Sequence, residues 1–115
     1  INGHGTSTPV GDVAELKAIN NLFGDQTEMP LLTSTKSLTG HSQGATGVQE
    51  AIYTLIMMNK NFISANSNLS EPDENIGEIK IPTSLISDFS HEACLSNSFG
   101  FGGTNACLAL GKYFN

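Results

Sequence analysis

Apolar residues return at helical spacing in two stretches of this chain, and between them run short apolar segments separated by glycine, hydroxyl and acidic residues. In the first stretch Val13, Leu16, Ile19 and Phe23 recur until Gly24, and Asp12 followed by Glu15 has the form of a capping box. A helix is predicted over residues 12–23. A polar turn follows, and "LLTST" (31–35), short and partly β-branched, predicts a buried strand. In the second stretch Ser42 stands where a cap would open a helix over residues 43–60. There Val48, Ile52, Leu55 and Ile56 form a stripe that Ala45, Ala51, Met57 and Met58 widen, predicting a helix buried nearly all round. Gly44 and Gly47 lie in its first two turns, where glycine costs up to about 1 kcal/mol against alanine, and they predict a close approach of backbone or ligand.

Residues 64–83, with "SANSNLSEPDENIG", read as an irregular surface connection without chemistry. Beyond them "LISDF" (85–89), "EACLSNSF" (92–99) and "TNACLALGKYF" (104–114) are strand-like, the last two joined through "GFGG". Helix and strand alternating before paired strands is an α/β pattern.

Composition narrows the class. At 115 residues and 38% apolar content the chain suits one modest domain. Its basic residues are five lysines; against eleven acids they leave a net charge of −6, which opposes nucleic acid and anionic membrane as partners. The longest apolar run, "LIMM", falls far short of a membrane span, no signal peptide opens the chain, and a cytoplasmic setting is the expectation. The start on "INGHG", without methionine or capping signal, reads as a piece of a longer protein. Cys94 and Cys107 lack disulfide-framework or metal spacing and are expected to be small buried apolar residues.

Three segments carry candidate chemistry. His4 is followed by Thr6, Ser7 and Thr8, hydroxyls suited to a polar ligand beside an imidazole that titrates near neutrality. Taken alone, the histidine reads as an exposed loop residue. His41 precedes a predicted helix N-terminus, where the dipole favours a neutral ring and a bound anion. Glu50 lies on a helix that reads as buried, so its carboxylate needs a partner, and Lys36 at the end of the predicted strand is the economical one. "GHSQGATG" lacks the Gly-Lys-Ser/Thr ending of a phosphate loop and the spacing of a dinucleotide fingerprint. "NSFGFGGTN" (97–105) reads either as a glycine-rich hairpin turn or as a mobile loop whose N–H groups face a reacting carbonyl.

Taken together, "HGTSTPVGD", "TSTKSLTGHSQGATGVQEAIYTL" and "SNSFGFGGTNACLAL" resemble the β-ketoacyl-[acyl-carrier-protein] synthases, the elongating condensing enzymes of fatty-acid synthesis, in order and approximate spacing. "GHSQGATGVQEAIY" is more similar to the synthase I type. The resemblance implies the C-terminal part of a thiolase-like fold, layered α/β/α with a mixed sheet, spanning residues 1–115, the half that bears the nucleophile being absent. It implies that His4 and His41 hydrogen-bond a malonyl thioester and assist its decarboxylation, and that Lys36 is the active-site lysine paired with Glu50. Thr6 and Thr8 would contact the phosphopantetheine arm. Phe101 would gate the site and lend its backbone N–H to an oxyanion hole, with Phe99 its neighbour. Asn2, Glu50, Ser96 and Asn97 match a monovalent-cation site of some members.

Gly3 stands where the family suggests alanine, and neither cysteine has the strand-to-helix setting of the family's acyl-accepting thiol, so the segment alone is expected to be inactive. The resemblance further implies an acyl carrier protein as partner, a homodimer and no cofactor. With its negative charge, this segment should not supply the carrier-docking patch. A polyketide or polyunsaturated-fatty-acid ketosynthase and a thiolase-like acyltransferase share the fold, as does a non-catalytic chain-length-factor partner. A thiolase would carry a cysteine where this chain has "FGFGGTN", and a chain-length factor would be expected to lose the histidines.

Overall fold

The computed structural model describes residues 1–113; Phe114, at the end of the last predicted strand, lies outside them. Helix α1 spans Gly11–Phe23, a four-residue α2 spans Lys36–Thr39, and α3 spans Thr46–Lys60 after a 3-10 turn at Gln43–Ala45. Strands β1 (Ala93–Phe99) and β2 (Asn105–Gly111) form an antiparallel hairpin, in register from Ala93 opposite Gly111 to Phe99 opposite Asn105.

The sheet continues beyond the hairpin through single bridges. Asn2 bridges in parallel to Ser96 on one side and to Thr33 on the other, and Leu31 bridges in parallel to Lys80. The backbone bonds agree: the Asn2 N–H donates to the Leu95 carbonyl at 2.8 Å, and Gly3 N–H to that of Thr33 at 2.7 Å. The order across this mixed layer is β2, β1, residues 1–3, residues 31–33 and residue 80. Alternate side chains leave opposite faces of extended backbone. Ile1 and Leu32 join Leu16 and Ile19 of α1, with Ile79, in the apolar core. The Asn2 carboxamide instead faces α3, donating to the Glu50 carbonyl at 3.2 Å and the Thr54 hydroxyl at 3.1 Å. Helices on both faces of a mixed layer make an α/β fold.

Several expectations need correction. "LLTST" contributes bridges at Leu31 and Thr33 rather than a continuous strand, and the chain turns into α2 at Lys36. "LISDF" contributes a single bridge, Ile86 with Ile63. Ser42 makes no side-chain cap bond, and the residues before α3 wind as a 3-10 turn.

The largest departure is the face of α3 turned inward. Thr46, Glu50, Thr54, Met57 and Met58 are buried, whereas Val48, Ile52, Leu55 and Ile56 are 44 to 66% exposed. The polar face goes inside because its groups find partners there, Lys36 for Glu50 and Asn2 for Thr54, which removes the cost of burying them. Of the two glycines, only Gly47 marks a close approach: a Cβ there would lie 3.2 Å from the Ser98 hydroxyl, while one at Gly44 would meet nothing. Cys94 is half-buried and Cys107 exposed, not buried as predicted, because β2 has β1 as its sole strand neighbour among the described residues.

Candidate active site

The His4 loop is shaped by the first turn of α1. Backbone N–H groups of four successive loop residues need acceptors, and two carboxylates supply them. Glu15 takes the N–H of His4 at 2.9 Å on one oxygen and that of Gly5 at 3.0 Å on the other, while one oxygen of Asp12 takes those of Thr6 and Ser7, each at 3.1 Å. The oxygen of Glu15 that serves His4 also accepts from the Asn97 amide at 3.0 Å, linking the loop to β1. Asp12 and Glu15 therefore brace the loop instead of capping the helix, and α1 starts without any side-chain cap bond. Sequence reasoning missed this because a carboxylate three residues after an acid has the same spacing in both roles. The signal was the run of loop N–H groups just upstream.

Glu15 is buried, so its three N–H partners are its solvation. Glu15→Gln would turn an NH2 group toward one of these donors. The expected loss is about 2–3 kcal/mol, the value of hydrogen bonds to a charged group, read as a drop in urea midpoint. An unchanged midpoint would show that the brace contributes nothing.

Lys36 opens α2 and is buried with its ammonium between two elements. It pairs with the Glu50 carboxylate, donates to the His4 carbonyl at 2.6 Å, and lies 3.4 Å from His4 Nδ1. The other Glu50 oxygen receives the Ser98 hydroxyl at 3.4 Å. Glu50 is 1% exposed, and burial pushes its carboxyl above the usual range while Lys36 draws it back. Burial first, and then the Lys36 ammonium, hold His4 below the ordinary histidine range, with His41 adding to the fall and Glu15 and Asp12 opposing it.

His41 reaches the same place from the other loop. Its Nδ1 receives the Gln43 backbone N–H at 3.0 Å and lies 2.9 Å from the Thr46 hydroxyl. Gln43 takes the left-handed conformation (φ 51°) in making that bond. The His4 and His41 ring centroids are 5.7 Å apart and perpendicular, and Phe99 lies 5.4 Å from His4. In both rings Nδ1 faces a donor, and an acceptor nitrogen carries no proton, so each ring holds its hydrogen on Nε2. Two neutral N–H donors side by side are suited to stabilising charge on an oxygen.

The structure thus brings His4, His41, Lys36, Glu50 and Phe99 together. Thr6 and Thr8 stand at the edge, their hydroxyls 3.1 Å apart. Phe101 is fully exposed at the turn between β1 and β2. Gly3 is buried, and a Cβ there would come within 2.9 Å of Leu32 and 3.1 Å of Glu15, so an alanine would require Leu32 to shift. Asn2, Glu50, Ser96 and Asn97 are neighbours, but their groups are largely used internally. The Glu50 oxygens serve Lys36 and Ser98, the Asn2 side-chain oxygen serves Thr35, and the Asn2 carbonyl accepts the Asn97 N–H. The Asn2 and Glu50 oxygens are thus committed to protein partners rather than left open to a cation. Among the described residues no cluster of three or more His, Cys, Asp or Glu is placed to hold a metal ion, and no helix is long and apolar enough to cross a membrane.

Known proteins share this arrangement of sequence. The chain is 52% identical over 113 residues to 3-oxoacyl-[acyl-carrier-protein] synthase 1 of Haemophilus influenzae, covering 98% of this chain and 27% of that protein. It therefore spans about a quarter of such a relative's length. A crystal structure of a β-ketoacyl synthase from Burkholderia phymatum superposes with a TM-score of 0.84 at 39% identity, covering 96% of this chain and 26% of the other. A type II polyketide ketosynthase solved in complex with its acyl-carrier protein superposes with a TM-score of 0.88 at 25% identity, over 97% of this chain and 27% of the other. The pattern described as "Beta-ketoacyl synthase, C-terminal domain" matches residues 1–70, which carry both histidine loops and the Lys36–Glu50 pair, and the chain belongs to the β-ketoacyl synthase family.

Proposed function

We propose that this chain is the decarboxylating portion of a 3-oxoacyl-acyl-carrier-protein synthase of fatty-acid elongation. The observation that carries the reading is the pair of imidazoles, each with Nδ1 held by a donor and Nε2–H free to act. The carbonyl of malonyl-carrier protein accepts from His4 and His41, and the bond to the carboxylate breaks to release carbon dioxide. Its electrons form an enolate whose oxygen the two N–H groups stabilise. The enolate carbon attacks an acyl thioester on a cysteine in the remainder of the synthase, giving 3-oxoacyl-carrier protein and returning the thiolate.

Lys36, held by Glu50, keeps His4 in its donor form. Thr6 and Thr8 contact the pantetheine arm, the Phe101 backbone N–H serves the acyl oxyanion, and Phe99 backs His4. The partner is an acyl carrier protein, as for the polyketide ketosynthase solved with one. The working enzyme is a cytoplasmic homodimer whose carrier-docking surface lies outside this acidic segment, and no cofactor takes part. The 52% identity to a fatty-acid synthase outweighs the 25% to the polyketide enzyme, and two intact histidines oppose a non-catalytic partner.

The synthase of full family length, given acyl- and malonyl-carrier proteins, is expected to yield one carbon dioxide per 3-oxoacyl product; absence of either rejects the reading. The pH profile is a second check. A histidine whose folded-state pKa is lowered stays neutral below the usual value of 6.5, and its contribution to stability is lost as pH falls below 6.5. The acid limb of carbon dioxide release should therefore centre below pH 6.5. A limb centred above it would contradict the neutral-donor role of His4.

A further inference from the structure

We infer that Asn66 is a positioning residue for the decarboxylating site, holding the Lys36 backbone and the His4 loop in place through Ser34. This inference rests on the proposed function. Residues 64–67 open the connection that reads as chemically silent in the sequence, yet they are tied along the segment that leads to Lys36. The Thr33 hydroxyl lies 3.0 Å from the Ser64 hydroxyl and donates to the Ser64 carbonyl at 3.0 Å. Ser34 N–H donates to the Asn66 side-chain oxygen at 2.8 Å, and Ser67 N–H to the Ser37 hydroxyl at 3.0 Å. The residues on both sides of Thr35 and Lys36 are thereby tied to one corner, while Thr35 between them gives its N–H to the Asn2 side chain at 3.3 Å and the sheet adds its bridge at Thr33.

The corner is itself anchored. The Asn66 amide donates to the carbonyls of Leu32 and Pro82, each at 3.1 Å, and its backbone N–H donates to Pro82 at 2.8 Å. One acceptor and two donors are needed on a short side chain, and asparagine alone supplies them. Ser34 then carries the placement across to the histidine loop: its hydroxyl donates to the Gly5 carbonyl at 2.9 Å. The contact leaves no slack, since a Cβ on Gly5 would lie 2.8 Å from that of Ser34. A shift of Ser34 therefore moves Gly5 and, beside it, His4, while loosening Lys36, whose ammonium must meet both the His4 carbonyl and Glu50. Misplacement on the scale of 1 Å at a reacting group costs up to about 10²-fold in rate.

The test uses the full-length synthase with Asn66→Ala, and with Ser34→Ala as the variant that keeps the corner's own bonds. Expected for both is a fall of roughly ten- to a hundredfold in kcat for carbon dioxide release from malonyl-carrier protein. KM and acyl transfer from acyl-carrier protein should be unchanged. In Asn66→Ala the acid limb should also move to higher pH, because a withdrawn Lys36 no longer opposes protonation of His4; the other groups facing that ring, Glu15, Asp12 and His41, stay as they are. A merely structural role would lower the urea midpoint but leave kcat per folded molecule and the acid limb at wild-type values, and that result overturns the inference. Equal loss of both half-reactions overturns it too. A wild-type enzyme that releases no carbon dioxide overturns the proposed function, and the inference with it, whereas an active wild type matched by both variants sinks this inference alone.

Discussion

Alanine at His4 or at His41 is expected to cut carbon dioxide release from malonyl-carrier protein by about 10²- to 10³-fold in the full-length synthase, and to leave acylation of its cysteine measurable. The size follows from removing one preorganised donor from the oxygen on which enolate charge develops. The selectivity follows from the separation of tasks proposed above. In that proposal acyl transfer uses the thiolate and the backbone N–H of Phe101, and neither alanine removes them. Two single-turnover measurements decide the matter, one following labelled acyl transfer and one following carbon dioxide. Loss of acylation as complete as the loss of decarboxylation, or decarboxylation at the wild-type rate, would mean that these rings are misassigned.

Lys36→Met, which removes the partner of a carboxylate that is 1% exposed, is expected to destabilise the protein by about 3–5 kcal/mol. The loss should grow with pH. Burial already raises the Glu50 pKa, and without the ammonium nothing comparable draws it back. A carboxyl raised in the folded state contributes its stability below the unfolded value, near 4.5, and loses it as pH climbs through the folded value. Lys36→Met should thus be least harmful in acid. Combining it with Glu50→Gln removes the stranded charge, so the double variant should lose less than the sum of the single losses. Urea titrations of the four proteins at two pH values test this. Strictly additive losses that do not change with pH would refute a coupled buried pair.

The Lys36–Glu50 pair was legible because a carboxylate among apolar residues demands a cation, and Lys36, 14 residues earlier, stands at the end of the preceding predicted strand. The meeting of the two histidine loops was legible only through the family resemblance, since nothing in their spacing requires it. The inward face of α3 was not legible. Periodicity divides a helix into faces, but it ranks them by hydropathy, and here the decisive partner of Thr54 is Asn2, 52 residues earlier. The strand predicted at 31–35 failed for a related reason. Thr33, Ser34 and Ser37 spend hydrogen bonds on residues 64–67, and a local window cannot see bonds made over 30 residues. Asp12 and Glu15 were found at the right place and given the wrong task.

The bond that sets the proton on His41 comes from a main-chain N–H, and this leaves the side chain at position 43 outside the chemistry. Any amino acid but proline presents the same N–H, so mutation at this codon cannot readily erase the tautomer. The left-handed backbone filters the replacements, favouring glycine and asparagine and penalising β-branched residues. Within that filter, position 43 can drift while the donor beneath it stays constant. Lineages can in this way vary the side chain at position 43 without disturbing the ring beside it.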